Sequence, residues 1–317
     1  MLKNSKVNFI VFFAALIISY YVTLRVDAPN YEDKYKRHTS IINNTVEYPY
    51  KYRLVNPYIA QVYFTVFKLA LSEKTAFMTA YTMQNFIVFL FLFFAVKKFF
   101  SVWFDEWGTI ISLLLFAALI PLSLTGYDTL GDMTTAGLMA LGFYFINTDK
   151  IKLLYPVVFI GAFNEFQIIL LILFYFFGKK ENFKSKSAWI NSILLVAAFL
   201  FAYLIIYFLR GGKAGNDEVV WYFTKDAAFN SANPNFVILW AVMILPLLFY
   251  ALKNIKMKPE FLRRNLYTVL PVFYVLVFFF MARMREIDKA LTIFLILIPL
   301  AVYSLFPSLF KSKESTF

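Results

Sequence analysis

Four stretches, far apart in the sequence, carry side chains able to do chemistry. Segment 25–56, RVDAPNYEDKYKRHTSIINNTVEYPYKYRLVN, holds Asp27, Glu32, Asp33, His38 and Arg53. LTGYDTLGDMTTAG at 124–137 holds Tyr127 and Asp128, with Asp132 four residues on, where a helix would place both acids on one face. GAFNEFQI at 161–168 holds Asn164 and Glu165, and MARMREIDKA at 281–290 holds Arg283, Arg285, Glu286, Asp288 and Lys289. The planar fork of an arginine suits phosphate. Glu165 is the outlier, because Leu153 to Gly178 carries no other charge. An ionisable residue in so apolar a setting is by default a functional candidate. The simplest alternative is a structural ion pair with Arg53, Arg283 or Arg285. Asp128 could equally be a helix cap, and His38, flanked by KYKR, is expected at the surface.

Familiar soluble-enzyme motifs are absent. The sequence has no glycine-rich loop ending in Lys-Ser/Thr, no HExxH and no GxSxG. With 0 Cys, disulfides and thiolate metal sites are excluded. GGKAG at 211–215 lacks the strand context of a phosphate loop and reads as a flexible turn.

The elements that must position these residues are membrane helices. The 317-residue chain is 61% hydrophobic, with 40 Phe and a mean hydropathy of +0.67, well above the roughly 45–50% apolar usage of soluble domains. Uncharged runs of spanning length cover Val7–Leu24, Thr75–Val96, Trp107–Tyr127, Ser187–Leu209, Ala227–Leu252, Asn265–Ala282 and Ala290–Phe310. Met133–Thr148 is shorter and reads as an eighth span. The first run follows Lys3 and Lys6 but lacks a small-residue cleavage site, so a retained anchor is expected. The fold class is therefore all-α: a single polytopic integral membrane domain of about eight spans.

Charge distribution sets the topology, since Lys and Arg accumulate in short cytoplasmic loops. If 151–178 formed one span, the basic loops GKKENFKSKS and KNIKMKPEFLRR would both face outward, against that rule. If the chain instead turns at Asn164-Glu165 as a helical hairpin, the segments 1–6, 97–106, 149–152, 179–186, 253–264 and 311–317 all face the cytoplasm. They carry 17 Lys+Arg against 6 Asp+Glu, and the outer segments carry 14 against 13. Both termini are then cytoplasmic. The net +12 is a topology signal that favours anionic membrane lipids and does not mark a nucleic-acid partner. Hairpin arms of this length reach only about 18–20 Å, which puts the tip inside the protein, where irregular backbone must line a cavity or be buried. Residues 25–74 form an outer loop followed by an interfacial helix over Leu54–Phe67, with Pro57 in its first turn.

Together these features resemble the glycosyltransferase C superfamily, polytopic enzymes that use lipid-linked sugar donors. The likeness rests on an anchor span, an acidic first outer loop, an interface helix and a short hairpin. A similar set of short motifs occurs in a group of bacterial membrane proteins: Tyr52-Arg53 with Pro57, Tyr127-Asp128-Thr129, the tip Asn164-Glu165, and Arg285-Glu286. The chain departs from that pattern at Asn164, where a basic residue is expected, and at Asp288-Lys289, where an arginine is. The resemblance implies transfer of a sugar from a polyprenyl-phosphate-type donor at the outer face of the plasma (bacterial inner) membrane. In it, Asp27 would be the general base, with Asp33, Asp128 and Glu165 as further catalytic acids. Asp128 and Glu165 would hold sugar hydroxyls or a divalent ion such as Mg²⁺ or Mn²⁺. Arg53, Arg283 or Arg285 would stabilise the phosphate, while Tyr127, Asn164 and Glu286 would complete the substrate site. The rival expectation is a transporter or flippase for a lipid-linked or anionic solute. No convincing inverted repeat supports that alternative. A structural subunit of a membrane complex is the third.

Overall fold

The computed structural model describes residues 5–46, 50, 53–124, 129–210, 225–271 and 286–310. Among them the chain is all-helical, with no strand. Six described helices are long and apolar enough to cross a membrane: Lys6–Asp27, Glu73–Phe100, Glu106–Ser123, Lys186–Arg210, Pro234–Leu252 and Ile287–Leu305. That is fewer than the eight expected. The expected span Met133–Thr148 is a helix, Thr129–Asn147, but its first turns carry Asp132, Thr134 and Thr135 and it is not among the six. The expected span Asn265–Ala282 lies mostly outside the described residues; its beginning belongs to a short helix, Glu260–Tyr267.

In chain order we label α1 Ser5–Val22, α2 Tyr31–Ile42, α3 Val55–Phe67, α4 Glu73–Phe100, α5 Glu106–Ser123 and α6 Thr129–Asn147. There follow α7 Leu154–Ala162, α8 Leu170–Gly178, α9 Lys186–Arg210, α10 Pro234–Leu252, α11 Glu260–Tyr267 and α12 Leu291–Leu305. Local chemistry sets several of the ends. Ser72 caps α4 by accepting from the Thr75 N–H, and Asp105 caps α5 by accepting from the Gly108 N–H at 2.8 Å. The centre of the bundle is α4, which packs on α1, α3, α5 and α6 and buries Phe77, Phe89, Phe93, Phe99 and Phe100. Helix α12 is buried almost throughout, whereas α9 and α10 turn rows of exposed Leu, Ile, Val and Phe outward.

Contacts sort the connections to two ends of the bundle. At one end, Lys97 bonds Asn8, the Asp105 N–H donates to Leu309 O at 3.0 Å, and Ser304 bonds Lys253 O at 3.0 Å. The same end gathers the Lys180 N–H on Glu260 at 2.9 Å and Lys179 on Asp149 at 2.7 Å. These are the basic segments that the charge pattern groups together. At the other end lie the C-terminal turn of α1, α2, the starts of α3 and α6, and residues 286–290.

The Lys179–Asp149 pair also fixes the course of α7 and α8. The chain leaves one end at 149, travels along α6, and is back at 179. Between the two helices, residues 163–165 interrupt the helix, and the 3₁₀ turn Phe166–Ile169 leads into α8. The arms pack closely here because Gly161 has no side chain: a Cβ on it would lie 2.5 Å from Ile168 Cγ1.

The described residues of the expected outer loop are largely helical. α1 continues as a π turn over Thr23–Asp27, and α2 follows with Lys34, His38 and Ile41 on its buried face. This spacing, i, i+4 and i+7, is that of an amphipathic helix. It also corrects the expectation for His38, which is buried, only 3% exposed. α3 spans the segment expected of the interfacial helix; it buries Asn56, Ala60 and Phe64 and exposes Tyr58, Ile59, Val62 and Val66. Its outward face is apolar.

Candidate functional site

Three elements converge on the tip between α7 and α8. The Leu54 N–H donates to Phe163 O at 2.9 Å, tying the start of α3 to the tip. Asn164 donates to Gly131 O at 2.7 Å and to Thr135 Oγ1 at 2.8 Å, and accepts from Asn56 at 2.9 Å. Gln84 of α4 closes this network by donating to Asn56 Oδ1 at 3.0 Å. Asn164 is 1% exposed, and a buried amide must find such partners. Its place is therefore structural: it holds the tip against α6.

Glu165 beside it is ionically paired. Arg53 donates to Oε1 at 2.7 Å and Thr135 to Oε2 at 3.1 Å. Of the three candidate arginines, Arg53 is the described partner. Asp132 of α6, buried one turn before Thr135, stands close by with Asp288 and Lys289, and Lys289 bonds Glu286. Gln167 ties the far side by donating to Lys289 O at 2.9 Å.

Asp27 lies at a second ion pair. Lys34 donates to Oδ1 at 2.5 Å and Asn85 to Oδ2 at 2.7 Å. With both oxygens engaged and the residue 1% exposed, an incoming hydroxyl meets Asp27 only if Lys34 moves. The π turn makes this possible, because it carries Asp27 inward toward α4 while α2 folds back over it. Asp33, by contrast, is exposed on the first turn of α2, away from the tip. Tyr127, Asp128, Arg283 and Arg285 lie outside the described residues.

In front of the two pairs is a small cleft of about 40 Å³, lined among others by Lys34, Arg37, His38, Tyr50, Arg53 and Asn164. Among the described residues no carboxylate lines it. Arg37 sits over the Tyr50 ring at 4.1 Å and Lys34 over Tyr81 at 4.0 Å, orienting both cations by cation–π attraction. The electrostatic plan is a cationic front with each acid placed behind its cation: Asp27 behind Lys34, Glu165 behind Arg53. His38 contributes no charge. Its ring meets Gln61 Oε1 at 2.7 Å through Nε2 and Tyr81 Oη at 3.1 Å through Nδ1, which suits the neutral tautomer with Nε2 as donor. Burial holds its pKa below the usual value; the Gln61 bond acts the other way, and nearby Lys34 adds to the lowering.

Among the described residues no group of three or more Asp, Glu or His is placed to hold a metal ion. Sequence reasoning missed Lys34, Arg37 and the buried role of His38. The i, i+4 spacing of Lys34 and His38 before Ile41 was the available signal.

No family model matches this chain, and neither a curated protein nor a solved structure shows significant similarity to it.

Proposed function

We propose that the cleft binds the phosphate of a polyprenyl-phosphate-type sugar donor at the outer face of the membrane, and that the protein transfers the sugar. The observation that carries this reading is the cleft's lining: Lys34, Arg37 and Arg53 face it, and among the described residues no carboxylate does. Such a surface favours an anion, and preorganised cations stabilise charge developing on a leaving phosphate. Beside the cleft, the apolar face of α3 (Tyr58, Ile59, Val62, Val66) gives the lipid tail a path along the bundle.

In this reading the chain has about eight spans, an interfacial α3 and a hairpin of α7 and α8 whose tip stays below the outer surface. The basic end is cytoplasmic, in keeping with the positive-inside rule. When the donor phosphate engages Lys34, that ammonium leaves Asp27, and the uncovered carboxylate accepts the proton of the acceptor hydroxyl as it attacks the anomeric carbon. The sugar–oxygen bond to phosphate breaks, and its electron pair goes to the phosphate held by Arg37 and Arg53.

A proton-linked transporter for an anionic solute is the second reading, favoured by the ion pair of Glu165 with Arg53, which places a switchable charge behind the cleft. The test is transfer of labelled sugar from a synthetic polyprenyl phosphate by the protein reconstituted in vesicles. Transfer that is lost in Arg37→Ala supports the transferase; net movement of the lipid between leaflets with no transfer supports the transporter.

A further inference from the structure

We propose that binding of an anion in the cleft is coupled to proton uptake by a buried carboxyl pair, Asp132 and Glu165. The proposal rests on the reading of the cleft as a phosphate site. Asp132, Glu165 and Asp288 are buried, with exposures of 5%, 7% and 6%. Among the described residues the cations around them are Arg53 and Lys289. Arg53 is paired with Glu165, and Lys289 with Glu286. Among the described residues Asp132 forms no ion pair and its buried Oδ1 has no hydrogen-bond partner; it lies one turn before Thr135, whose hydroxyl holds Glu165.

Two buried carboxylates close to one another do not both stay charged. The resting pair therefore holds one proton, on Asp132, and one negative charge, on Glu165, which Arg53 balances. Arg53 also lines the cleft. An anion that draws its guanidinium forward leaves Glu165 as a buried charge without its counter-ion. A buried carboxylate in that position neutralises by binding a proton. The step is one proton from solvent to a Glu165 oxygen, with no other bond made or broken.

Reciprocity follows: if the anion raises the affinity for a proton, the proton raises the affinity for the anion. Across the window in which Glu165 titrates in the bound state, affinity should rise roughly tenfold for each unit fall in pH. Other charged groups face the site. Lys34, Arg37 and His38 approach from α2, Asp288 and Lys289 from the turn before α12, and α4 contributes the non-titrating Gln84 and Asn85. Of these His38 is the competing explanation, since its protonation would also draw anions at low pH.

The experiment is calorimetric titration of the purified full-length chain with inorganic pyrophosphate, in buffers of different ionisation enthalpy at one pH. The expected result is uptake of about one proton per anion bound, retained in His38→Asn and lost in Glu165→Gln, whose affinity becomes nearly independent of pH. Binding without proton uptake, or uptake that survives Glu165→Gln, overturns the proposal and leaves the cleft reading standing. No pyrophosphate binding at all overturns both. Should Glu165→Gln not fold, the infrared carbonyl band of a protonated carboxylic acid decides the point in ligand-free protein. It should be present in the parent and diminished in Asp132→Asn; an unchanged band refutes the shared proton.

Discussion

Breaking the Arg53–Glu165 pair should reveal how firmly the tip between α7 and α8 is held. The pair spans 2.7 Å, with side chains only 15% and 8% exposed. At an effective dielectric of about 20, unit charges at that separation attract by roughly 6 kcal/mol, and desolvation offsets much of this. Removing one partner leaves the other charge buried, which typically costs about 3–5 kcal/mol. Arg53→Met should therefore destabilise by about that much at neutral pH. The loss should shrink in acid, where Glu165 takes a proton instead. Glu165→Gln should cost less, because the amide oxygen still accepts from Arg53, and Arg53 borders the water of the cleft. In the double variant the costs should not add; coupling of about 1–3 kcal/mol is expected for residues in one network. Equilibrium unfolding in mixed detergent micelles measures all three. If both single variants lie within about 0.5 kcal/mol of the parent, as for ordinary surface changes, the pair is solvated and the buried tip described above is wrong.

Stability should fall as pH drops below 6.5, the ordinary histidine value, toward the lowered pKa of folded His38. In that window the unfolded chain binds a proton that the folded chain does not, so unfolding is favoured; melting curves against pH should flatten between these values in His38→Asn. Gly161→Val should overpack the arms against Ile168, costing about 1–3 kcal/mol, read as a lowered melting temperature. Asp27→Asn should reduce sugar transfer by about 10²–10⁴-fold, the usual contribution of a general base. Full turnover by folded Asp27→Asn protein would remove Asp27 from that role.

The broad helical architecture was legible in the sequence because its determinants are local. Long apolar runs spell helices, and the polar pair Asn164-Glu165 inside an uncharged stretch marked the interruption between α7 and α8. The site was legible only in part. Arg53 and Glu165 stood out as charges near apolar segments, but their pairing joins residues 112 positions apart, which no local pattern encodes. His38 was misjudged for a related reason: its basic neighbours suggested solvent, while the periodicity of α2 turns it inward with Lys34 and Ile41. Asp27 looked like an available acid at the end of a span. Its partners Lys34 and Asn85 come from two other helices, and only packing reveals that both oxygens are taken. Met133–Thr148 is not among the six long apolar helices because the beginning of α6 carries Asp132, Thr134 and Thr135 and joins the polar network around the tip.

The central claim is that the cationic cleft binds a lipid-linked phosphate. Native mass spectrometry of the purified protein with a polyprenyl phosphate, against the matching polyprenol without phosphate, tests it most directly. Retention of the phosphorylated lipid alone, lost on Arg37→Ala with Lys34→Ala, is the expected result. Equal retention of both lipids, or unchanged retention by the double variant, would contradict it.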